Sequence, residues 1–300
     1  MVSGAHAGGL PDTGSVVTPP VPDPETDTRK DAVQDFFHQT AKSWQERYAR
    51  RDFESVSYQD RTRVALDLLR RHGPGSGFVL DAGCGAGLQA VAIQAAGYRV
   101  VACDIAQDMV RLAQTNLTAA GGRALVADVD AAPFRDAVFD VVVALGVIGY
   151  AKDWDRWMAS VHRVLKPGGL LVISMASEQL LLRNVSDVVS AVPDRAYTWL
   201  KRVMTRQPPP AAANDPGFYK QHYTYTTARE FDAFLKRHGF DKRGSAGVNY
   251  GQLHFMGKRL FPERVDVALT HTVERLARAA PLRVLQGQAR IYVTALKKPG

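Results

Sequence analysis

Residues 79–93, VLDAGCGAGLQAVAI, place Gly83, Gly85 and Gly87 in a turn between an apolar run and a helical pattern. Glycines there let a ligand approach the backbone, and the N–H groups at a helix start favour anionic groups, so such a turn commonly cradles a nucleotide. The turn alone leaves the nucleotide open. Gly85 to Ala90 satisfies the dinucleotide pattern G-x-G-x-x-G/A, and Asp104 follows about 20 residues on, where a ribose partner is expected. A nicotinamide cofactor is therefore one candidate. Cys84, a small residue inside the turn, reads as packing rather than as a nucleophile.

The elements that must position this turn show in the hydrophobic rhythm. FVLDAGCG, YRVVACDI, GRALVADV, FDVVVALGVIGY and GGLLVISMAS are short, nearly continuous apolar runs, as strands buried on both faces require. Helical patterns alternate with them over 88–96, 106–119 and 153–165. Strict alternation predicts an α/β fold, a doubly wound sheet with ligands at the carboxyl ends of its strands. Upstream, Phe36, Thr40, Trp44 and Tyr48 share one face of a helix, and a second helix is predicted over 58–71. Residues 177–222 break the alternation and exceed an ordinary connection, which predicts a helical lid over the open end of the sheet. Thr227 and Glu230 form a capping box, and two further strands are expected over 240–250 and 289–296 around a helix at 262–280. The expected organisation is a disordered tail (1–30), an N-terminal helical cap (31–74), a Rossmann-like core (75–176), a helical lid insertion (177–225) and the rest of the sheet (226–300).

Composition narrows the classes. The chain has 300 residues, 46% of them apolar and 23% charged, the balance of a globular protein with a sizeable core. No run approaches the roughly 18 apolar residues of a membrane span, and the first 30 residues lack the form of a secretory signal. Two cysteines, Cys84 and Cys103, argue against a disulfide framework and for a reducing, cytoplasmic setting. The net charge of +8 is uneven: from Lys201 onward 18 Lys and Arg face 7 Asp and Glu. These basic residues are scattered rather than gathered into a groove with stacking aromatics, so nucleic acid is not expected as a partner. Val265, Leu269, Val273 and Leu276, with Arg264, Arg275 and Arg278 among them, form a stripe suited to packing on the sheet or to peripheral contact with a membrane.

Four segments, VLDAGCGAGLQA, VVACDIAQDMV, ALVADVDAAPF and VLKPGGLLVIS, resemble the class I S-adenosylmethionine-dependent methyltransferases over roughly residues 75–175. The resemblance implies a Rossmann-like methyltransferase sheet with S-adenosyl-L-methionine as cofactor. It places Asp81 by the ammonium of the cofactor's amino-acid portion, Asp104 on the ribose hydroxyls, and Asp128 with Val129 at the adenine. Gly83, Cys84, Gly85 and Gly87 shape the turn, Ile105 and Met109 cover the adenine face, and Leu145 borders the cofactor from the fourth strand. A carboxylate at position 81 suits a cationic group better than a pyrophosphate, which sets the nicotinamide reading behind. No metal is expected.

Methyl transfer from a sulfonium is an in-line displacement, so positioning and water exclusion carry most of the catalysis. For a base, His222 comes first because the lid returns there to the catalytic end of the sheet; Tyr150 and His38 follow. ALGVIGY after the fourth strand lacks the N-P-P-Y form of adenine and glutamine N-methyltransferases. The expectation is a small-molecule acceptor, with O-methylation of a natural product or related metabolite ahead of N- or C-methylation. A lipid or quinone at a membrane surface is the alternative. A cofactor-binding protein without catalysis is the remaining rival.

Overall fold

The computed structural model describes residues 28–118, 121–177, 181, 216–255 and 258–300. The strands are β1 (Phe78–Ala82), β2 (Arg99–Asp104), β3 (Arg123–Val126), β4 (Phe139–Leu145), β5 (Leu165–Ala176), β6 (Asp241–Val248), β7 (His254–Phe255), β8 (Lys258–Arg259) and β9 (Ile291–Lys297). Seven form one sheet in the order β3-β2-β1-β4-β5-β9-β6, and β7 with β8 makes a separate hairpin. Strands β1 to β5 pair in parallel, while β9 runs antiparallel to both neighbours. Chain order reverses at β1, which lies between β2 and β4. A crevice for a ligand opens there, at the carboxyl ends of the strands.

Both faces of the sheet are covered, which explains the unbroken apolar runs: all five residues of β1 are buried. On one face α2 (Phe53–His72), α3 (Leu88–Ala95) and α4 (Gln107–Leu117) set Leu68, Leu69, Ile93 and Leu117 against Val79, Val100 and Val141. On the other, α5 (Trp154–Val164) brings Trp157, Met158 and Val161 onto Leu80, Val142 and Leu171, joined by Phe231 and Leu235 from a later helix (Ala228–Arg237). That later helix starts at the expected capping box, with Thr227 and Glu230 bonded reciprocally.

Helix α1 (Thr28–Ala49) begins three residues inside the stretch read as tail, because Arg29 and Lys30 both find partners described below. Helix α2 begins a turn earlier than its periodicity suggests, since the Asp52 carboxylate accepts the Ser55 N–H at 2.8 Å. Most of the expected lid, 178–180 and 182–215, and the tail 1–27 lie outside the described residues. The chain resumes in α6 (Pro216–His222), followed by α7 (Ala228–Arg237) and α8 (Glu263–Leu276). In α8 the apolar stripe divides: Leu269 and Val273 pack beside Tyr250 and Ala277, while Val265 and Leu276 are exposed. An ion-pair network fixes α8 to α2, with Arg63 bonded to Asp60 and Glu274, His271 to Asp60, and Arg278 to Glu274. Asp60, His271 and Glu274 lie close enough to share a cation, but the two arginines already match their charge. No helix among the described residues is long and apolar enough to cross a membrane.

Gly87 shows how tightly the turn is built. Its φ is +79°, and a Cβ there would sit 2.8 Å from both Cα and Cβ of Ala113 in α4. We expect Gly87→Ala to destabilise the fold by about 2–4 kcal/mol, combining backbone strain with overpacking against a backbone atom. Urea unfolding of wild type and variant measures it; a loss below about 0.5 kcal/mol would mean that α4 moves aside freely.

Candidate functional site

The glycine turn is tied to the end of β2 before any ligand arrives. The N–H groups of Gly83 and Cys84 donate to the Cys103 carbonyl at 2.8 and 2.9 Å. Gly85 N–H donates to Asp104 Oδ2 and Ala106 N–H to Asp104 Oδ1, each at 2.9 Å. Burial pushes the Asp104 carboxyl up, and these backbone donors work against it. Gly85 itself has φ +52° with nothing within 4 Å of where a Cβ would lie, so the backbone there faces open space.

Beneath the turn, Asp81 is fully buried at 0% exposure. The Gln89 amide donates to its Oδ1, while Oδ2 has no partner among the described residues. Burial pushes this carboxyl up to about 7; the Gln89 bond opposes the shift and the Asp104 charge adds to it. Burial also pushes the Cys84 thiol well up, with Asp104 and Asp81 adding their charges, which suits packing and not nucleophilic attack.

A cavity of about 240 Å³ runs from this turn into an aromatic chamber. Gly83, Cys84, Gly85, Asp104, Ile105, Met109, Asp128, Val129 and Leu145 line its first part. Phe37, Trp44, Tyr58, Tyr150, Tyr219, Tyr223 and Tyr225 wall the second. The rings interlock: Phe37 meets Tyr150 edge-on at 5.2 Å, Tyr150 meets Tyr223 at 4.8 Å, and Trp44 meets Tyr58 at 5.3 Å. Helix α1 closes one side through its first turn. Lys30 Nζ bridges Asp128 Oδ2 at 2.5 Å and Asp130 Oδ2 at 2.7 Å. Arg29 Nη2 donates to the carbonyls of Gly149 (3.2 Å) and His222 (2.9 Å) and to Thr224 Oγ1 (3.2 Å).

The expected site residues divide between lining and support. Nine of the cofactor candidates line the cavity, whereas Asp81 lies under the turn and Gly87 packs on α4. Tyr150 lines the chamber, its hydroxyl pushed well up by burial and by neighbouring tyrosines. Neither histidine does: His38 pairs with Asp108 at 3.3 Å, and the His222 ring lies 4.9 Å from that of Phe218. Residues that the sequence did not single out complete the lining: Lys30, Glu54, Arg61, Ser174 and Arg290. Arg61 Nη2 donates to the Tyr48 hydroxyl at 3.2 Å, Nη1 packs on Gly146 just past β4, and the guanidinium lies 5.4 Å from the Tyr58 ring centroid. An arginine on the inward side of an amphipathic helix has no spacing that announces it.

Residues 80–173 match the family described as a methyltransferase domain. A malonyl-[acyl-carrier protein] O-methyltransferase of Pseudescherichia vulneris is 35% identical over 96 residues, 32% of this chain and 38% of that protein. The enzyme of the same description from Geobacter sulfurreducens is 29% identical over 198 residues, 64% of this chain and 71% of that protein. The fold is that of the Burkholderia thailandensis 1,6-didemethyltoxoflavin-N1-methyltransferase, a structure with S-adenosylhomocysteine bound. The TM-score is 0.55 at 17% identity, covering 95% of this chain and 94% of that one. Over residues 80–173 the chain thus matches a methyltransferase domain, on the seven-stranded mixed sheet described above, and it spans about two fifths of the length of the curated relatives it first matches.

The Asp81 carboxyl makes the ligand-free site pH-sensitive. Below about pH 4 folded and unfolded chains both carry its proton. As pH rises toward 7 the unfolded chain releases it first, so folding loses stability across that window. We expect Asp81→Asn, which retains an acceptor for Gln89, to melt higher than wild type at pH 8 and to show a flatter decline between pH 4 and 7. Thermal melts across that range check it; equal melting temperatures at pH 8 would refute a costly buried carboxylate.

Proposed function

We propose that the protein transfers the methyl group of S-adenosyl-L-methionine to a small-molecule acceptor, with O-methylation of a natural product or related metabolite as the finer reading. One observation carries it: a single cavity joins a carboxylate-lined glycine turn to a tyrosine-walled chamber. The residues present fit the cofactor. The unpartnered Oδ2 of buried Asp81 suits an ammonium group, the open space over Gly85 admits close approach, and Asp104 retains acceptor capacity for a vicinal diol. We assign the cofactor's carboxylate to Arg61, whose Nη1 packs on Gly146 and whose charge reaches Asp81.

When bound, the cofactor supplies an electrophilic methyl on a cationic sulfur. The chain's work in this reading is to hold the acceptor in line with that methyl, to exclude water with the aromatic walls, and to receive a proton. Glu54, which lines the chamber and accepts the Tyr58 hydroxyl at 3.3 Å, is the group we assign to the proton. His222 holds the rim through its carbonyl bond to Arg29.

Calorimetric titration with S-adenosylhomocysteine tests the reading. Affinity is expected to rise from pH 6 to 8 as Asp81 loses its proton, and to fall by about 1–3 kcal/mol in Asp104→Ala. NAD is expected to give no binding. Failure of S-adenosylhomocysteine to bind the folded protein would overturn the assignment.

A lipid or quinone acceptor at a membrane surface is the second reading. Leu260, Phe261, Val265, Leu276, Leu282 and Val284 are exposed, with Arg259, Arg264, Arg275 and Arg283 exposed among them. Apolar side chains with interspersed cations suit an anionic bilayer. This reading predicts sedimentation with phosphatidylglycerol vesicles at low salt and release at high salt; no sedimentation at low salt would exclude it.

A further inference from the structure

The chamber holds charge and polarity that a purely apolar acceptor would leave unused. Ser174 on β5 is 1% exposed and lines the cavity, yet among the described residues its hydroxyl has no partner, and neither does the hydroxyl of Tyr219. Burying such groups without hydrogen bonds costs free energy, so a cavity that holds them is built for a ligand with polar atoms. Arg290 immediately precedes β9, its N–H bonded to the Asn249 carbonyl and its carbonyl to the Ser177 N–H, both at 2.7 Å. Its exposed side chain lines the same cavity, and among the described residues it pairs with no carboxylate. Its charge nonetheless reaches the chamber: burial raises the hydroxyls of Tyr58, Tyr219 and Tyr223, and Arg290 opposes that shift in all three.

The backbones that carry these two side chains are offset along the sheet. Ser174 pairs with Leu145 on the cofactor side and with Val293 on β9, and Arg290 lies three residues before Val293. Three residues of strand span roughly 10 Å. That length suits one aromatic ring with polar groups at opposite ends and a hydrogen bond beyond each. The walls between are tyrosine, phenylalanine and tryptophan rings, which favour a flat aromatic body. A guanidinium offers a fork of donors matched to a carboxylate.

We propose that the acceptor is a small aromatic acid, its carboxylate held at the rim by Arg290 and its opposite polar group directed past Ser174 toward the cofactor turn. This deepens the methyltransferase reading and rests on it. The carboxylate is the anchor, and the group at the other end of the ring is the one that accepts the methyl.

The test uses the full chain saturated with S-adenosylhomocysteine, titrated with 4-hydroxybenzoate and 4-hydroxycinnamate and with the matching neutral amides. The acids are expected to bind at least tenfold more tightly than the amides. Arg290→Gln is expected to reduce that preference to less than threefold, Arg290→Lys to restore part of it, and both variants to bind S-adenosylhomocysteine as wild type does. Because Arg290 makes its structural bonds through the backbone, the substitutions preserve the strand, and thermal melts verify this. Amides binding as well as acids, a preference that survives Arg290→Gln, or no binding of either acid would overturn the proposal. Failure to bind S-adenosylhomocysteine in the first step would instead remove the cofactor assignment beneath it.

Discussion

Asp104 joins three elements through one carboxylate. By accepting the N–H groups of Gly85 and Ala106, it fixes the end of β1 to the end of β2 and to the start of α4. The turn can then hold its left-handed glycines without a ligand, and Gly87 can pack against Ala113. That contact sets the spacing of α4 from the sheet, which brings Met109 and Ile105 to the cavity wall. The arrangement concentrates negative charge. Asp104 adds its charge to the burial that raises the neighbouring Asp81 carboxyl.

Much of this frame was legible because it obeys short-range rules. Strands buried on both faces must be apolar throughout, and β1, β2, β4 and β5 read as such. The reversed β9 and its neighbour β6 were visible as runs, but nothing local fixes which strand lies beside β5. The aspartates at 81, 104 and 128 stand at strand ends in register with the glycines, which is why a linear reading reaches them. Lys30, Glu54, Arg61, Ser174 and Arg290 have no such register. They come from α1, α2, β5 and the residue before β9, and only the packing of α1 and α2 over the sheet end brings them to one cavity.

His222 and Arg29 illustrate the same limit from opposite sides. The return of the chain toward the sheet end drew attention to His222, and the chain does return there. What approaches α1, however, is the His222 carbonyl, while its ring lies beside Phe218. Arg29 belonged to a stretch whose Pro, Gly and Thr content reads as unstructured, and composition averages over the one turn that is anchored. The first turn is held through its side chains, which reach across to other elements: Arg29 donates to the Gly149 and His222 carbonyls, and Lys30 pairs with Asp128.

The closure of α1 couples the two halves of the cavity. Its Lys30 contacts Asp128 and Asp130 near the glycine turn, while its Phe37 and Trp44 wall the aromatic chamber. Two carboxylates so close repel one another, and burial together with Asp128 pushes the Asp130 carboxyl up; Lys30 counters both. Lifting α1 would therefore unpair an acidic couple and open the aromatic wall in the same motion. Because Lys30 is about one-quarter exposed, salt screens this attachment less than it would a surface pair. The same helix packs Ala41 onto Met109, so its seating also reaches α4 and, through Ala113, the glycine turn. The glycine turn, the covering helix and the aromatic wall are thus packed as one connected unit.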